Sequence, residues 1–264
     1  MYTFQCRRMQ RFRHDRVIFA GDAAHVVSPF GARGANSGIQ DTDNLVWKLE
    51  LVLAGRAPDR LLDTYDAERP HAADENILNS TRSTDFITPK SRVSRTFRDA
   101  ALSLAKSHAF ARRLVNSGRL SVPAILAAAP LNTPDRDADI ASGPAAMIPG
   151  APAAAAPVAG PAGDWLPGYL GGGFTLLGFG DAVGPFGVGT LSRERIPCKV
   201  VQVGGKATAG ATAVEDVQGL AVRRYDARPG TVYLLRPDQH VCARWREFDL
   251  PSVRAAIARA TCND

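Results

Sequence analysis

The first part of the chain combines one short apolar run with longer segments of helical periodicity. Residues 16–20 form a nearly continuous apolar segment that leads to Asp22, which predicts a buried strand with a carboxylate at its carboxyl end. Beyond a glycine-containing loop, the pattern becomes helical and closes at Gly55. Ser37 and Gln40 are three residues apart, so we expect a capping box at the start of this helix. The apolar residues of its expected inner face are Ile39, Val46, Leu49 and Leu53.

Two further helices are predicted before the chain changes character. Residues 59–80 carry apolar side chains at helical spacing, and Pro70 within them is expected to kink the helix. Residues 93–115 carry a second apolar stripe that is flanked by arginines. The residues of this second stripe are Phe97, Ala101, Leu104 and Phe110.

The remaining half begins with a shift in composition. Residues 130–161 are rich in Pro, Ala and Gly, as expected of an interdomain linker followed by an extended segment. Strand and helix signals then alternate. The predicted strands are residues 174–179, 198–203, 233–235 and 241–245, and the predicted final helix is Pro251–Ala260. Residues 237–240 predict a hairpin turn between the last two strands.

These patterns predict an α/β chain with three parts. Residues 1–129 form the first domain, residues 130–161 the linker, and residues 162–264 a small α/β domain. A length of 264 residues with 45% hydrophobic and 22% charged residues is sufficient for two buried cores.

Charge and cysteine content exclude several classes of protein. The net charge is +6, but the arginines are dispersed without a dense run among aromatics, which disfavours nucleic-acid binding. The four cysteines form no Cys-x-x-Cys and no Cys/His ligand spacing, so no metal site or disulfide framework is expected. No apolar stretch approaches about 20 residues, and the first residues lack the apolar core of a signal peptide. We therefore expect a soluble cytoplasmic protein without a membrane partner.

The loop after the first strand carries the candidate chemistry. Asp22 at a strand end is an ionised hydrogen-bond acceptor, and Gly21 lets a ligand approach the backbone. Gly31 and Gly34 permit a tight loop, after which the amides of residues 35–37 are expected at a helix amino terminus, where they favour an anion. The alternative interpretation is a simple strand-to-turn junction, with Asp22 as a cap and the glycines as turn residues.

Two other polar residues of this loop have open interpretations. His25 is better explained as a local hydrogen-bonding residue than as a catalytic base. Arg33 either contacts a phosphate or is solvated. We assign no catalytic residue with certainty.

The spacing of the whole segment resembles one enzyme family. An apolar strand, Gly-Asp-Ala-Ala-His at residues 21–25, Pro29, Gly-x-x-Gly-x-Asn at residues 31–36 and the helix through Leu49 follow in order. Tyr65, Glu68, Arg69 and Pro70 extend the match. This arrangement resembles the carboxy-terminal part of FAD-dependent aromatic hydroxylases, the class A flavoprotein monooxygenases that include p-hydroxybenzoate and phenol hydroxylases.

The resemblance implies a cofactor and roles for individual residues. Asp22 would bind the FAD ribityl chain, Pro29 would lie beside the flavin, and Ala35 and Asn36 would contact its pyrimidine edge through backbone amides. The family reaction uses NAD(P)H to reduce FAD, after which a flavin hydroperoxide transfers hydroxyl from oxygen to a phenolic ring. The cofactor-binding residues implied are Gly21, Asp22, Pro29, Gly31, Gly34, Ala35 and Asn36.

The likeness extends to the carboxy-terminal domain. Members similar to 3-(3-hydroxyphenyl)propionate hydroxylase and phenol hydroxylase carry an added thioredoxin-like domain, which implies that fold for residues 162–264. Where a redox thioredoxin places Cys-x-x-Cys, this chain has Asp-Ala-Val-Gly-Pro-Phe at residues 181–186. A packing or dimerisation module is therefore expected rather than thiol exchange.

Two parts of the family pattern are absent from this sequence. It contains neither the Gly-x-Gly-x-x-Gly fingerprint for the ADP half of FAD nor the middle Asp-Gly motif. We therefore expect a fragment that binds FAD weakly and does not turn over alone. The alternative is a non-catalytic remnant or partner subunit of a split flavoprotein, and homodimerisation is equally open. A small thioredoxin-like redox protein, the third hypothesis, would require a reactive thiol pair.

Overall fold

The chain folds into two compact units. The computed structural model describes residues 4–29, 31–115, 122–135 and 147–264. Unit 1 comprises Met1–Asp43 and Tyr65–Ala124, and unit 2 comprises Asn44–Thr64 and Ile125–Asp264.

The strands of unit 1 are short and antiparallel. Strand β1 (Arg7–Arg8) pairs with β4 (His25–Val26), and β2 (Arg13–His14) pairs with β3 (Val17–Ile18). The prediction of a buried strand over residues 16–20 was therefore wrong. Only two of these residues are strand, they pair with Arg13–His14 across a two-residue turn, and the Val17 side chain is exposed.

Four helices extend from this region. Their bounds are Arg33–Leu53 for α1, Asp63–Ile87 for α2, Arg92–Ala105 for α3 and Ala109–Val115 for α4. A 3-10 turn at Asp59–Leu62 precedes α2, and Pro70 lies inside α2. Residues 93–115 were predicted as one helix but form two, α3 and α4. The first ends because the amides of Ser107 and His108 both donate to Leu104 O. Helix α1 closes as predicted before Gly55, which has a φ of 65°.

The capping-box prediction for α1 was wrong. The helix begins at Arg33, so Ser37 and Gln40 lie within it. The Ser37 hydroxyl instead accepts a hydrogen bond from the Asn76 side-chain amide at 3.1 Å. A side chain on a neighbouring helix has taken the place of the expected local partner.

The apolar faces predicted for two helices are partly exposed. On α3 and α4 only Ala101 of the predicted stripe is buried, whereas Phe97, Leu104 and Phe110 are exposed. On α1 the residues Ile39, Val46 and Leu53 are exposed, and Trp47 and Leu51 are buried instead. Helical periodicity thus identified apolar faces without identifying what covers them.

Unit 2 contains a five-stranded sheet in the order β7-β6-β5-β8-β9. The strands are β5 (Phe174–Phe179), β6 (Cys198–Val203), β7 (Thr212–Val214), β8 (Val232–Leu235) and β9 (Val241–Trp245). Strands β5, β6 and β7 are parallel, and β8 and β9 are antiparallel to their neighbours. Three parallel strands, an antiparallel hairpin and the helix Leu250–Ala260 thus form the small α/β domain, and its thioredoxin-like fold stays a prediction.

Both faces of this sheet are covered. Because side chains alternate along a strand, Phe174 and Leu176 pack into one core while Leu177 and Phe179 pack into another. The first core also contains Trp47, whose ring meets Phe174 edge to face with centroids 5.9 Å apart. Four apolar residues of the Asn44–Thr64 segment thereby belong to the core of the sheet: Trp47, Leu51, Ala57 and Leu61.

Most elements of the small α/β domain were predicted from sequence. Strands β5, β6 and β9 have the predicted bounds, and the hairpin turn at residues 237–240 is confirmed by pairing of Leu235 with Val241. The final helix is Leu250–Ala260, close to its prediction. Strand β7 and the short helices Pro185–Leu191 and Leu220–Arg224 were not predicted.

The described end of the predicted linker is an extended segment. The Gly150 amide donates to Val241 O at 2.7 Å, the Val241 amide to Ala151 O at 2.8 Å, and the Ala153 amide to Gln239 O at 2.8 Å. Ala151, Ala156 and Val158 are buried. Residues 150–153 therefore pair with the hairpin of unit 2, and Ala159 pairs with Glu215 instead. Residues 136–146 of the predicted linker lie outside the described residues.

Candidate functional site

The loop that carries the family motif begins with a constrained turn. Gly21–Ala23 form a 3-10 turn, and Gly21 has a φ of 60°, a conformation that favours glycine. A Cβ atom at Gly38 would lie 3.3 Å from Gly21 Cα. The backbone conformation therefore favours glycine at position 21, and the close approach of the turn to helix α1 favours it at position 38.

Most of the predicted cofactor-binding residues face solvent. Asp22, Pro29, Gly31, Ala35 and Asn36 are exposed, and Gly21 and Gly34 are half-buried. The Asp22 carboxylate accepts no hydrogen bond from the described part of the chain, so the alternative interpretation of Asp22 as a helix cap has no support in the structure. This loop leaves a carboxylate accessible to a ligand.

The helix amino terminus lies slightly upstream of its predicted position. The Ala32 amide donates to Pro29 O at 3.1 Å, and α1 begins with Arg33. Of the three amides predicted to be free, that of Ala35 lies in the first turn, while those of Asn36 and Ser37 follow it. Contact of Ala35 and Asn36 with a flavin stays a prediction.

Arg33 is buried, which corrects the interpretation of a solvated side chain. Its guanidinium donates to Asn76 Oδ1 at 2.5 Å and to Val122 O at 3.3 Å. Burial lowers the pKa of Arg33, because desolvation penalises the cation, although the charge of Glu75 opposes this effect. Contact with a phosphate stays a prediction.

A polar pocket of about 180 Å³ opens beside Arg33. Its lining consists mainly of polar side chains from the first turns of α1 and from α2, with two residues near the end of unit 1. The lining residues are Gly31, Arg33, Asn36, Ser37, Gln40, Asn76, Val122 and Pro123.

A buried charge cluster lies beneath the loop. Asp41 Oδ2 accepts hydrogen bonds from His25 Nε2 at 2.6 Å and from the Gly21 amide at 2.9 Å. Asp41 Oδ1 accepts one from Arg69 Nε at 2.6 Å. His25 is thus a hydrogen-bonding residue, as predicted, but its partner lies sixteen residues away and is not local.

The environment of Asp41 favours its ionised form. Burial alone would raise the pKa of the carboxyl group, but the hydrogen bond from His25, the charge of Arg69 and the Gly21 amide together lower it. Three donors, one of which is the Arg69 cation, thus keep the buried carboxylate ionised.

Tyr65 supports the same loop from helix α2. Its hydroxyl donates to Phe19 O at 2.8 Å, and burial, followed by the charge of Asp41, raises the pKa of this phenol. Tyr65 and Arg69 match the family pattern at the sequence level, but no role was predicted for either residue. The sequence signal that contains them is Tyr-x-x-Glu-Arg-Pro at residues 65–70, whereas no local pattern indicates Asp41.

Neither a metal site nor a disulfide is found among the described residues. Among the described residues, no group of three or more His, Cys, Asp or Glu side chains could hold a metal ion. Cys6, Cys198, Cys242 and Cys262 are all free thiols, and burial raises the pKa of Cys198. Within the described residues, no helix is both long and apolar enough to span a membrane.

Comparison with known proteins identifies the relatives of the motif-bearing segment. The family model described as FAD binding domain matches residues 1–80. The 3-(3-hydroxy-phenyl)propionate/3-hydroxycinnamic acid hydroxylase of Escherichia coli O139:H28 strain E24377A is 46% identical over 99 residues. That alignment covers 38% of this chain and 18% of the relative.

Solved structures extend the likeness of fold to the whole chain. The flavin-dependent monooxygenase PieE, solved in complex with FAD and substrate, is 23% identical, with a TM-score of 0.75 over 100% of this chain and 50% of that one. Aklavinone-11 hydroxylase, solved with FAD and aklavinone, is 24% identical, with a TM-score of 0.69 over 99% of this chain and 46% of that one. The chain therefore spans about half the length of these proteins. The α/β fold is that of the flavin monooxygenases, and the resemblance of residues 1–80 to FAD-dependent aromatic hydroxylases is confirmed.

Proposed function

We propose that this chain supplies the flavin-contacting half of an FAD-dependent aromatic hydroxylase. The observation that carries the proposal is the exposed Asp22 carboxylate beside a positive-φ glycine, within a segment that matches the FAD binding domain family. An ionised carboxylate accepts hydrogen bonds from hydroxyl groups such as those of a ribityl chain. Pro29, Gly31, Ala35 and Asn36 form the exposed remainder of this loop.

The residues present fit part of the cofactor. The amino terminus of α1 favours negative charge, which suits the pyrimidine edge of a reduced flavin. The pocket of about 180 Å³ is smaller than the roughly 300–1,000 Å³ of sites that enclose a whole ligand. It would therefore enclose only one edge of the ring system, and the sequence contains no Gly-x-Gly-x-x-Gly for the ADP half.

The chemistry would be divided between cofactor and protein. Bound FAD would supply the redox step, with NAD(P)H as reductant and hydroxylation of a phenolic substrate by the flavin hydroperoxide that the family resemblance implies. The residues of this chain would bind and orient: Asp22 accepts from hydroxyl groups, the first turn of α1 presents amides, and Gly21 allows close approach. The substrate would be a small aromatic molecule.

Ligand titration tests this proposal. We expect the chain to bind FAD and FMN with similar dissociation constants, weaker than micromolar, and to show no binding of ADP alone. Asp22→Ala should weaken FMN binding by roughly tenfold or more, the loss expected for a hydrogen bond to a charged acceptor. Asp74→Ala is the matched control, because Asp74 is an exposed carboxylate of the same unit that pairs with Arg8. Undetectable FMN binding, or equal binding of ADP, would refute the proposal.

A second candidate function is that of a partner subunit with no activity alone. It is favoured by two exposed apolar residues that lie seven apart on the part of helix α1 in unit 2, namely Val46 and Leu53. Such a pair on one helix face is typical of a surface that another chain covers. The occupant proposed is a separately encoded amino-terminal flavoprotein half.

Co-expression distinguishes the two candidates. If the chain is a partner subunit, co-expression with the upstream reading frame should increase its solubility and yield NAD(P)H-dependent hydroxylation of a phenol. Val46→Glu should abolish co-purification, whereas Val222→Glu, at an exposed position on the helix Leu220–Arg224, should not. Equal solubility with and without the upstream product would count against this candidate.

A further inference from the structure

The three donors around Asp41 converge on one carboxylate that has almost no solvent contact. The side chains of His25, Asp41 and Arg69 are 1%, 0% and 3% exposed. Hydrogen bonds to an ionised acceptor in such surroundings are strong, and a buried carboxylate that loses its donors is costly. The cluster therefore holds the side chains of His25, Asp41 and Arg69 in place within unit 1.

One of these donors belongs to the backbone of the candidate loop. The Gly21 amide reaches Asp41 Oδ2 at 2.9 Å, and Gly21 is the residue with positive φ that precedes the exposed Asp22. The Gly21 N–H belongs to the Ala20–Gly21 peptide, so this hydrogen bond fixes the backbone immediately before the Gly21–Asp22 peptide. The backbone next to Asp22 is thus bound by a side chain twenty positions beyond Gly21.

The role of His25 follows from its ring nitrogens. A contact of 2.6 Å between Nε2 and a carboxylate assigns the proton to Nε2. Nδ1 is buried and has no hydrogen-bond partner among the described residues, and the ring stacks on Phe12 with centroids 5.7 Å apart. His25 therefore acts toward Asp41 through one donor and presents no nitrogen to a ligand.

We propose that Asp41, held by His25 and Arg69, is the positioning residue of the flavin-binding loop: it fixes the Gly21 amide and thereby the direction of the Asp22 carboxylate. The link to flavin rests on the proposed function, whereas the link to Gly21 does not. His25 and Arg69 act through Asp41. Arg69 additionally donates to Ser37 O at 3.4 Å and so ties helix α2 to helix α1 within unit 1.

Two measurements on the full chain test this inference. Amide hydrogen exchange at Gly21, followed by NMR, reports the contact with Asp41 and needs no ligand. Titration with FMN reports the consequence for binding. Asp41→Asn should raise the Gly21 exchange rate and weaken FMN binding by roughly tenfold or more, as expected for the loss of a charge-assisted hydrogen bond.

A pair of substitutions at His25 separates positioning from simple packing. His25→Gln keeps an N–H donor within reach of Asp41 and should preserve both Gly21 protection and FMN affinity to within about twofold. His25→Leu retains volume but no donor and should reproduce the behaviour of Asp41→Asn. If Asp41→Asn fails to fold, this pair still decides the question.

The outcomes distinguish the inference from the proposed function. Unchanged Gly21 exchange in both Asp41→Asn and His25→Leu, at equal global stability, overturns the positioning role. Increased Gly21 exchange without any FMN binding by the unsubstituted chain supports positioning and refutes the flavin proposal. Equal effects of His25→Gln and His25→Leu would show that ring packing, not the donor, is what matters.

Discussion

Two buried carboxylates, one in each unit, have almost the same exposure but different surroundings. The side chains of Asp41 and Asp238 are 0% and 1% exposed. Asp41 is bound by a histidine, an arginine and a backbone amide from three separate segments. Asp238 accepts hydrogen bonds from Nε and Nη2 of Arg236, at 3.0 and 2.7 Å, and from the Asn44 side-chain amide at 2.9 Å.

The difference lies in what each cluster holds in place. Arg236 is two residues from Asp238 in the β8–β9 turn, so that pair stabilises a hairpin, and Asn44 connects it to the start of the Asn44–Thr64 segment of unit 2. Asp41 holds a loop whose next residue is an exposed carboxylate. Burial and a displaced pKa therefore do not identify a functional site by themselves. What distinguishes the two clusters is the group that each one holds in position.

The largest effect is expected at Asp238. Asp238→Asn should lower the free energy of unfolding by about 3–5 kcal/mol, because it leaves the fully buried Arg236 cation without its counter-charge. Urea denaturation measures this change. Replacing both partners, as Asp238→Leu with Arg236→Met, should cost less than Asp238→Asn alone. If Asp238→Asn also accelerates Gly21 exchange or weakens FMN binding, the distinction between the roles of Asp238 and Asp41 is contradicted.

An intermediate effect on stability is expected at His25. His25→Leu should lower the free energy of unfolding by about 1–3 kcal/mol, since Asp41 loses one donor while Arg69 and the Gly21 amide remain. His25→Gln should recover more than half of this loss. Chemical denaturation of the two variants side by side measures both values. Equal stability of the two variants would mean that the donor contributes nothing.

Acidification should separate the two clusters. Burial would raise both carboxyl pKa values, but the hydrogen bond of His25 lowers that of Asp41, and the charges of Arg236 and His240 lower that of Asp238 farther. Their stabilisation is therefore complete above the unfolded carboxyl pKa of about 3.9. The stabilisation by each carboxylate declines as the pH falls from about 3.9 toward its folded pKa. Because the folded pKa of Asp238 is the lower of the two, its stabilisation persists to lower pH.

Denaturation midpoints between pH 6 and pH 3 measure this behaviour. The unsubstituted chain should lose stability as the pH falls, and the loss should be smaller in Asp41→Asn and smaller again in Asp238→Asn. A steeper acid loss in either variant than in the unsubstituted chain would contradict the assigned direction of the pKa shifts.

The smallest effect is expected for a surface pair of unit 1. Arg8 Nε lies 2.5 Å from Asp74 Oδ1, and both side chains contact solvent. Asp74→Ala should change the free energy of unfolding by no more than about 1 kcal/mol, less at high salt, because water and ions screen such pairs. Thermal denaturation at two salt concentrations checks this. A loss as large as that of His25→Leu would remove the distinction between buried and surface charge.

Sequence patterns predicted the small α/β domain better than the first unit. The apolar runs at β5, β6 and β9 define strands because they are buried on both faces and need no particular partner to be recognised. The run at residues 16–20 has the same appearance, yet it forms two strand residues in a local hairpin. A short apolar run identifies residues that can be buried. Whether they are buried depends on the segments of the same chain that pack against them.

For the candidate site, the sequence by itself predicted the loop of Gly21, Asp22, Pro29, Gly31 and Gly34, because such a motif consists of particular residue types at fixed local spacing. Only the tertiary structure decided that Arg33 is buried, that Ser37 meets Asn76, and that Asp41 joins His25 to Arg69. These pairs are separated by 16 to 43 residues. Periodicity and propensity predict which side chains share one face of a segment. Which charged groups pair is decided only when distant segments pack together and exclude water.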